Sequence, residues 1–353
     1  MKPTKPRVLE RRRIHLVAGT IFAGLLLAAC GGGNGGGGAK EGEIEELNLR
    51  MNSSLEATHI LTVGGKHFAE ELEKQSNGKI TTTFSDSGSL VGGSDELTAL
   101  SSRTVDVGSI VSSYHTGVAD YLVATFTLPY VGNMETLQQI TRKTWEDAQA
   151  DVDDKGIRLL FSIPIRTEFF FKKEVPCGEP DWSGMRIRGH GGYANEVISI
   201  FGGSPQFMLS SEAPTALGTG VIDASSTSLQ TWSASMSEQA PFVCNSEGEY
   251  NGPVFYGINE ELWNGLNETT QELIIDVALE SEDFSWQAAK EEDDKILAEA
   301  EANEAITVVT QTAEQKEVVR ERLTPIYDQF RKDFGDAAER YLKAAEEVEQ
   351  GQE

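Results

Sequence analysis

Apolar and polar residues alternate with a period of two where the globular part of the chain begins. Leu47, Leu49 and Met51 face one way and Asn48 and Arg50 the other, which predicts a β-strand. The next elements predicted are a helix with Phe68, Ala69 and Leu72 that ends at Asn77, a strand at 80–84, a helix capped by Ser94 and a strand at 105–111. This β-α-β-α-β order favours a mostly parallel sheet covered by helices, with ligands bound beyond the carboxyl ends of the strands.

The apolar pattern changes twice more along the chain. Runs at 157–163 and 169–172 predict two strands, and Pro164 and Arg166 interrupt the sequence between them. We therefore place a boundary between two α/β lobes at this point. After a second α/β segment, the predicted elements are long helical stretches at 268–302 and 313–347, a short strand at 306–309 between them, and a capping box formed by Thr312 and Gln315.

The N-terminus has the pattern of a targeting segment. Residues 2–13 are basic, and 16–29 form an apolar run that is too short to span a bilayer comfortably. Leu-Ala-Ala-Cys at 27–30 resembles a bacterial lipobox, which predicts a signal peptide at 1–29 and lipidation of Cys30. The glycine-rich segment 30–44 is then a flexible tether to the membrane. An uncleaved anchor is the alternative. The signal peptide and lipid site place the mature protein outside the cytoplasm, in the periplasm or on the cell surface of a bacterium.

The two remaining cysteines lie in loop-like sequence. Cys177 follows Val-Pro, and Cys244 follows Phe-Val. An oxidising compartment permits a disulfide bond between them. Two free thiols are the alternative that the sequence leaves open.

Charge and motifs exclude several classes of function. The net charge is −26, and removing the +5 of residues 1–29 leaves −31. Such an acidic surface repels phosphates, which argues against nucleic acid as a partner. The sequence contains no His-Glu-x-x-His pair, phosphate loop or Gly-x-Ser-x-Gly elbow, so no metal and no cofactor is expected.

The segment 185–188 offers a site for an anion. Met185 and Ile187 alternate with Arg186 and Arg188, so both arginines project from the same face of a predicted strand. A glycine-rich turn then leads into a predicted helix at 193–201. A strand-end arginine beside a helix N-terminus suits a carboxylate, which the guanidinium fork can bind through two hydrogen bonds. Exposed arginines without a ligand are also common on strands. Arg166 has the same two interpretations, a ligand contact or an ordinary exposed side chain.

Several short segments, in a fixed order, resemble the solute receptors of tripartite ATP-independent periplasmic (TRAP) transporters, of the DctP type. The resemblance spans roughly 45–330. It rests on segments 66–72, 76–80, 87–92 and 128–131, and most specifically on Ser-Gly-Met-Arg-Ile-Arg at 183–188 with 202–205, 211–212 and 215–223.

The resemblance implies a two-lobed α/β fold of the periplasmic-binding-protein type, in which each lobe is a sheet flanked by helices and long helices cross between the lobes. Applied to this chain, lobe 1 comprises 45–163 plus about 258–285. Lobe 2 and the crossing helices comprise 164–257 plus about 286–340, and 341–353 forms an acidic tail.

The resemblance also implies site residues. The arginine that binds the substrate carboxylate in the family falls on Arg188, and a second, earlier arginine best matches Arg166. Where many members carry a ligand-contacting asparagine, this chain has the serine and threonine run 224–228, with Thr227 in its place and Ser225 beside it. A family phenylalanine is replaced by Ser210, which argues against assuming a four-carbon dicarboxylate.

An aromatic residue close to this run has two interpretations. Trp232 follows the serine and threonine run and forms either a wall of the ligand site or part of the core. The phenylalanines at 169–171, which follow Arg166, have the same alternatives.

The predicted function is that of an extracytoplasmic receptor, not an enzyme. It captures a small organic carboxylate by lobe closure and delivers it to the membrane subunits of a TRAP transporter. The alternatives are a ligand-sensing lipoprotein that reports to a membrane sensor, and a lipid-anchored enzyme with Glu212 or Asp223 as acid or base.

Overall fold

The computed structural model describes residues 42–351. The predicted signal peptide, Cys30 and most of the predicted tether lie outside this range. Among the helices that it contains, none combines the length and the apolar character needed to cross a membrane.

The described chain alternates strands and helices in its first two thirds and is mainly helical afterwards. The strands are Leu47–Asn52 (β1), Ile80–Ser85 (β2), Val107–Ile110 (β3), Ile157–Phe171 (β4), Arg186–Gly189 (β5), Ser204–Phe207 (β6), Ala224–Ser228 (β7), Phe242–Asn245 (β8), Asn251–Asn259 (β9) and Thr307–Thr310 (β10). The helices are Ile60–Gln75 (α1), Glu96–Ser101 (α2), Asp120–Thr127 (α3), Leu137–Lys143 (α4), Trp145–Asp153 (α5), Gly192–Ile200 (α6), Ala213–Thr219 (α7), Leu229–Ser235 (α8), Glu260–Gly265 (α9), Glu268–Glu301 (α10), Ala313–Arg322 (α11), Thr324–Phe334 (α12) and Asp336–Gln350 (α13).

The first lobe contains the strands predicted from the period-two pattern. β1 lies between β2 and β3 and is parallel to both, as the sequence predicts. β9 then pairs antiparallel with β3 and with the first part of β4, so the strand order is β2-β1-β3-β9-β4. Met51, Phe68, Phe161 and Tyr256 are buried between this sheet and its helices. β9 lies in this lobe, although the predicted boundaries assign most of it to lobe 2.

The second lobe is a mixed extension of the same sheet. β7 pairs antiparallel with the end of β4, while β5 lies parallel between β7 and β6. On the other side, β8 pairs antiparallel with β4 and parallel with β10. Both lobes are therefore sheets flanked by helices, as predicted.

β4 is one continuous strand that belongs to both lobes, whereas the sequence predicts two strands. It pairs with β9 as far as Arg166 and with β7 from Thr167 onward. Pro164 stands directly opposite Pro253 of β9. The two residues that lack a backbone N–H thus share one position of the ladder, and the strand continues through it.

Helix α10 links the lobes. Its 34 residues correspond to a length of about 51 Å. It packs against α1 and β4 in lobe 1 and against α8 and β10 in lobe 2. This is the crossing helix that the sequence predicts.

The C-terminal helical stretch is divided into three helices. The predicted capping box is confirmed at the start of α11, where Gln315 N donates to Thr312 Oγ1 and Thr312 N to Gln315 Oε1. Gly335, with φ +49°, separates α12 from α13. The sequence predicts an acidic tail from residue 341 onward, but in the structure the chain remains helical up to residue 350. This segment completes α13, and its side chains Tyr341 and Val348 are buried.

Cys177 and Cys244 form a disulfide bond, with their Cα atoms 5.4 Å apart. The bond connects the loop after β4 to β8, over a sequence separation of 67 residues. It resolves the alternative of two free thiols in favour of the bridge.

Candidate ligand-binding site

A narrow cavity of about 40 Å³ lies where the two lobes meet. Lobe 2 contributes Arg188 and His190 from the end of β5 and Thr227 from β7. Lobe 1 contributes His59, which precedes α1, and Tyr114 from the short turn at 112–115 that follows β3. The cavity therefore lies beyond the carboxyl ends of β3 and β5, as expected for a sheet of this type.

Arg188 is buried at the end of β5 and is only 2% exposed. Its Nε donates to the Met208 carbonyl at 3.1 Å and its Nη1 to the Ser226 carbonyl at 2.5 Å. Burial lowers the pKa of this guanidinium, and no carboxylate in the described range forms an ion pair with it. A buried cation whose partners are neutral carbonyls and the neutral Tyr114 phenol attracts an anion strongly, because little solvent screens its charge.

The turn that carries Tyr114 is fixed by a buried carboxylate. Glu96 Oε1 accepts from the hydroxyls of Ser54 and Ser109, each at 2.6 Å, and Oε2 accepts from Val111 N at 2.7 Å and faces His115 Nε2 at 3.2 Å. These bonds connect α2, β3 and the turn itself. Glu96 therefore positions Tyr114 without lining the cavity.

Tyr114 reaches across from lobe 1 to lobe 2. Its hydroxyl accepts from Ser210 N at 3.3 Å. Burial is the main cause that raises the pKa of Tyr114, and the nearby charge of Arg188 opposes the rise. The group stays a neutral phenol that can donate to a ligand oxygen.

Both histidines of the cavity are neutral at pH 7. Burial lowers the pKa of His59 to about 4, and burial together with the charge of Arg188 lowers that of His190 to about 3. His59 Nδ1 accepts from Leu61 N at 3.2 Å as the cap of α1, which leaves the ring hydrogen on Nε2 to donate to Ser228 Oγ at 3.3 Å. This bond joins the two lobes.

His190 closes the wall behind Arg188. The imidazole packs edge-on against Phe126, and its Nδ1 is buried without a hydrogen-bond partner in the described chain. Asn251 Oδ1 is likewise unpaired, and both residues border a second space of about 10 Å³. That is close to the volume that one water molecule needs.

Three of the six predicted substrate-binding residues lie together. Arg188, Thr227 and Ser210 all line the cavity. Ser225 does not, although it lies two residues from Thr227 on β7. It is fully buried, and its hydroxyl donates to the Ser226 carbonyl at 3.5 Å.

Arg166 does not line the cavity, in contrast to the expectation. Its neighbours Ile165 and Thr167 do, and the alternation of side chains along β4 turns Arg166 away from them. The guanidinium is paired with Glu168 at 3.0 Å and donates to Asn245 Oδ1 at 2.5 Å.

Trp232 belongs to the core rather than to the cavity wall. It stacks on Phe170 with 4.7 Å between ring centroids, and its indole N–H donates to the Ala240 carbonyl at 2.9 Å. Trp232 and Phe170 therefore pack in the core and do not form a wall of the ligand site.

Sequence reasoning missed His59, Tyr114 and His190 as cavity residues. The only local signal is at His190, which follows Arg188 by two residues within the glycine-rich turn. Gly191 has φ +104°, and a Cβ there would lie 2.8 Å from the Ser113 carbonyl. Glycine thus lets the two lobes approach at this turn.

The two residues named as acid or base in the enzyme alternative lie elsewhere. Glu212 caps its own turn by accepting from Leu209 N, and Asp223 pairs with Arg186 on the surface. Neither lines the cavity. No group of acidic, histidine or cysteine side chains that could hold a metal ion occurs in residues 42–351.

Comparison with known proteins decides the family. The model of the bacterial extracellular solute-binding proteins of family 7, DctP, matches residues 51–333. This chain belongs to that family. The family consists of solute-binding receptors rather than enzymes, and it operates outside the cytoplasm.

Individual proteins are also similar to this chain in sequence or in fold. The C4-dicarboxylate-binding periplasmic protein DctP of Rhodobacter capsulatus is 27% identical over 288 residues, which cover 80% of this chain and 86% of that protein. The TRAP solute-binding protein of Desulfovibrio desulfuricans with bound sn-glycerol-3-phosphate has a TM-score of 0.78 at 22% identity, covering 86% of this chain and 97% of its own. The sugar acid binding protein DctPAm of Advenella mimigardefordensis, in complex with galactonate, has a TM-score of 0.78 at 20% identity. The match covers 87% of this chain and 100% of that protein.

Proposed function

We propose that this family 7 receptor binds a small organic carboxylate at Arg188 and presents it to the membrane subunits of a TRAP transporter. The observation that carries the proposal is the guanidinium of Arg188, which is buried between the lobes and has no carboxylate partner in the described chain. A ligand carboxylate would supply the missing counter-charge. Charge-assisted hydrogen bonds of this kind each contribute about 1.5–3 kcal/mol net.

Hydrogen bonds across the cleft support binding by lobe closure. Ile60 N donates to Gln230 Oε1 at 2.9 Å, next to the His59–Ser228 bond. Together with the bond from Ser210 N to Tyr114, they connect residues of the two lobes next to the cavity. The ligand would enter when these bonds open and would favour their closure by bridging Arg188 to lobe 1.

The N-terminal sequence supports a lipid anchor. The lipobox-like tetrapeptide that ends at Cys30 and the glycine run after it would hold the receptor at the outer face of a membrane, within reach of the transporter. Mass spectrometry of the N-terminal peptide from the native host tests this part separately. A diacylglyceryl group on Cys30 supports the anchor, and an N-terminus at another residue contradicts it.

Calorimetric titration of the purified protein with a panel of organic acids tests the proposed function. The ligand should bind at least tenfold more weakly to Arg188→Ala, because about 1.4 kcal/mol corresponds to a factor of ten and one charged hydrogen bond contributes at least that much. Arg188→Lys should recover little, since an ammonium group lacks the planar fork.

Arg186→Ala is the matched control. Arg186 lies two residues earlier on the same strand, but it is exposed and pairs with Asp223. Its removal should leave the affinity within twofold. Equal affinity of the wild type and Arg188→Ala for every acid that binds would contradict the proposal.

A further inference from the structure

The cavity contains a single charged side chain. Among the described residues that line it, Arg188 is the only one that carries a charge at pH 7, because the others are apolar, hydroxyl-bearing or histidine. Both histidines are buried in their neutral form. The site thus holds one positive charge and no negative one.

The second arginine expected from the family does not line this cavity. Arg166 instead borders a separate space of about 310 Å³, and Glu168 pairs with it at 3.0 Å. Glu168 is itself fully buried and accepts two further bonds from Ser246. Releasing Arg166 toward the cavity would therefore leave a buried carboxylate without its counter-ion.

Several backbone amides at helix N-termini near the cavity also have partners. Leu61 N and Ile60 N of α1 donate to His59 and Gln230. At the start of α6, Tyr193 N donates to Thr127 Oγ1 at 3.0 Å. These amides could otherwise have held an anion. A second carboxylate would meet neither a side-chain cation nor these amide donors.

We propose that the ligand of this receptor is a monocarboxylate with uncharged polar substituents, such as hydroxyl, oxo or amide groups, and not a dicarboxylate. The inference rests on the proposed function, because it assumes that Arg188 binds one carboxylate. A second ionised carboxylate would lose its hydration without gaining a counter-charge, which strongly disfavours its burial. Thr227 and the neutral Tyr114 phenol offer hydrogen bonds that suit uncharged oxygen or nitrogen atoms instead.

Matched acids that differ only in the second charge test this inference. Malonate, succinate, malate and glutarate are each compared with the corresponding monoamide, which keeps the size but removes one carboxylate. Calorimetric titration of the wild-type protein at pH 7.5 should show that the best-binding monoamide binds at least tenfold more tightly than its dicarboxylate. A dicarboxylate that binds as tightly as its monoamide, or more tightly, overturns the inference.

Identification of the natural ligand supplies an answer that does not depend on this panel. The protein is purified from its host without denaturation, and the small molecules released on unfolding are identified by mass spectrometry. A released monocarboxylate supports the inference, and a released dicarboxylate overturns it. The variant Arg188→Ala separates the two proposals. If it weakens the binding of a preferred dicarboxylate, only the charge inference fails; if it changes the binding of no acid, the proposed function fails.

Discussion

Arg166 and Glu168 form an ion pair that lies almost wholly within the fold. Both Nε and Nη2 of the guanidinium donate to Glu168 Oε1, at 3.1 and 3.0 Å. Glu168 Oε2 accepts from the backbone N–H and the hydroxyl of Ser246. The pair therefore fastens β4 to the loop after β8, at the position where β4 passes from one lobe to the other.

The first prediction concerns this pair. Arg166→Met should lower the free energy of unfolding by about 3–5 kcal/mol, because it leaves the Glu168 carboxylate buried without a counter-charge. Ligand affinity of the folded protein should change by less than twofold. Chemical denaturation and calorimetric titration measure the two quantities, and the double variant Arg166→Met/Glu168→Gln should recover part of the stability. Tenfold weaker binding with unchanged stability would show that Arg166 contacts the ligand after all.

A second prediction assigns Glu96 a positioning role through Tyr114. Glu96→Gln replaces an acceptor that serves four donors, so the turn at 112–115 should shift and ligand binding should weaken. Tyr114→Phe removes the hydroxyl directly. If Glu96 acts through Tyr114, the two changes should not be additive, with a coupling energy above about 0.5 kcal/mol in a double-mutant cycle on affinity.

Asp106 provides the control for this cycle. It is a buried carboxylate of the same lobe, but it pairs with Arg50 and Arg103 away from the cavity. Asp106→Asn should reduce stability without any coupling to Tyr114→Phe. Additive effects of Glu96→Gln and Tyr114→Phe on affinity would contradict the positioning role.

A third prediction follows from Asp293 on the crossing helix. Burial raises the pKa of its carboxyl to about 7, against the charge of Arg166 and a hydrogen bond from Gln230. Since the folded protein holds this proton more tightly than the unfolded chain, the contribution to stability is complete below about pH 4 and is lost as the pH rises to about 7. The loss is on the order of 4 kcal/mol, because each pKa unit corresponds to about 1.4 kcal/mol.

Asp293→Asn removes this titration while keeping the shape of the side chain. The free energy of unfolding of the variant, relative to the wild type, should therefore rise between pH 4 and pH 7 and stay constant above pH 8. Urea denaturation at a series of pH values gives this difference. Asp294→Asn, one residue later and exposed in its pair with Lys290, is the matched control for the substitution itself. A flat difference for Asp293→Asn would mean that its carboxyl is ionised in the fold.

The disulfide bond gives a fourth prediction. The variant Cys177→Ser/Cys244→Ser should be less stable by about 4 kcal/mol, as expected from the chain entropy of a loop of this length. Its affinity for the ligand should be unchanged, because neither cysteine lines the cavity. Thiol titration of the denatured, non-reduced protein should find neither cysteine free. Two reactive thiols traced to these positions by peptide mapping would contradict the bond.

The sequence predicted most of the elements and the position of Arg188 near the end of a strand, because both depend on local patterns. Alternation along 185–188 and the resemblance of this segment were enough to choose Arg188. Arg166 was assigned to the site because its sequence position matches, yet a shift of one residue along a strand reverses the side chain. Only the pairing of β4 with β9 and β7 determines which face Arg166 takes.

Local sequence patterns could not predict which residues of lobe 1 line the cavity. His59 and Tyr114 meet Arg188 only because α10 and β4 hold the lobes together, and no nearby motif marks either residue. Trp232 shows the opposite problem. An aromatic ring next to a polar run fits a ligand wall or a core equally well until the partner, Phe170, is known.

The shared strands also determine the order in which the chain can fold. β3 and the first part of β4 both pair with β9, which is made only after the whole second α/β segment. A nascent chain that ends before residue 251 exposes two unpaired strand edges, which are prone to aggregation. The sheet of the first lobe therefore cannot be completed until the second α/β segment and β9 have both been made.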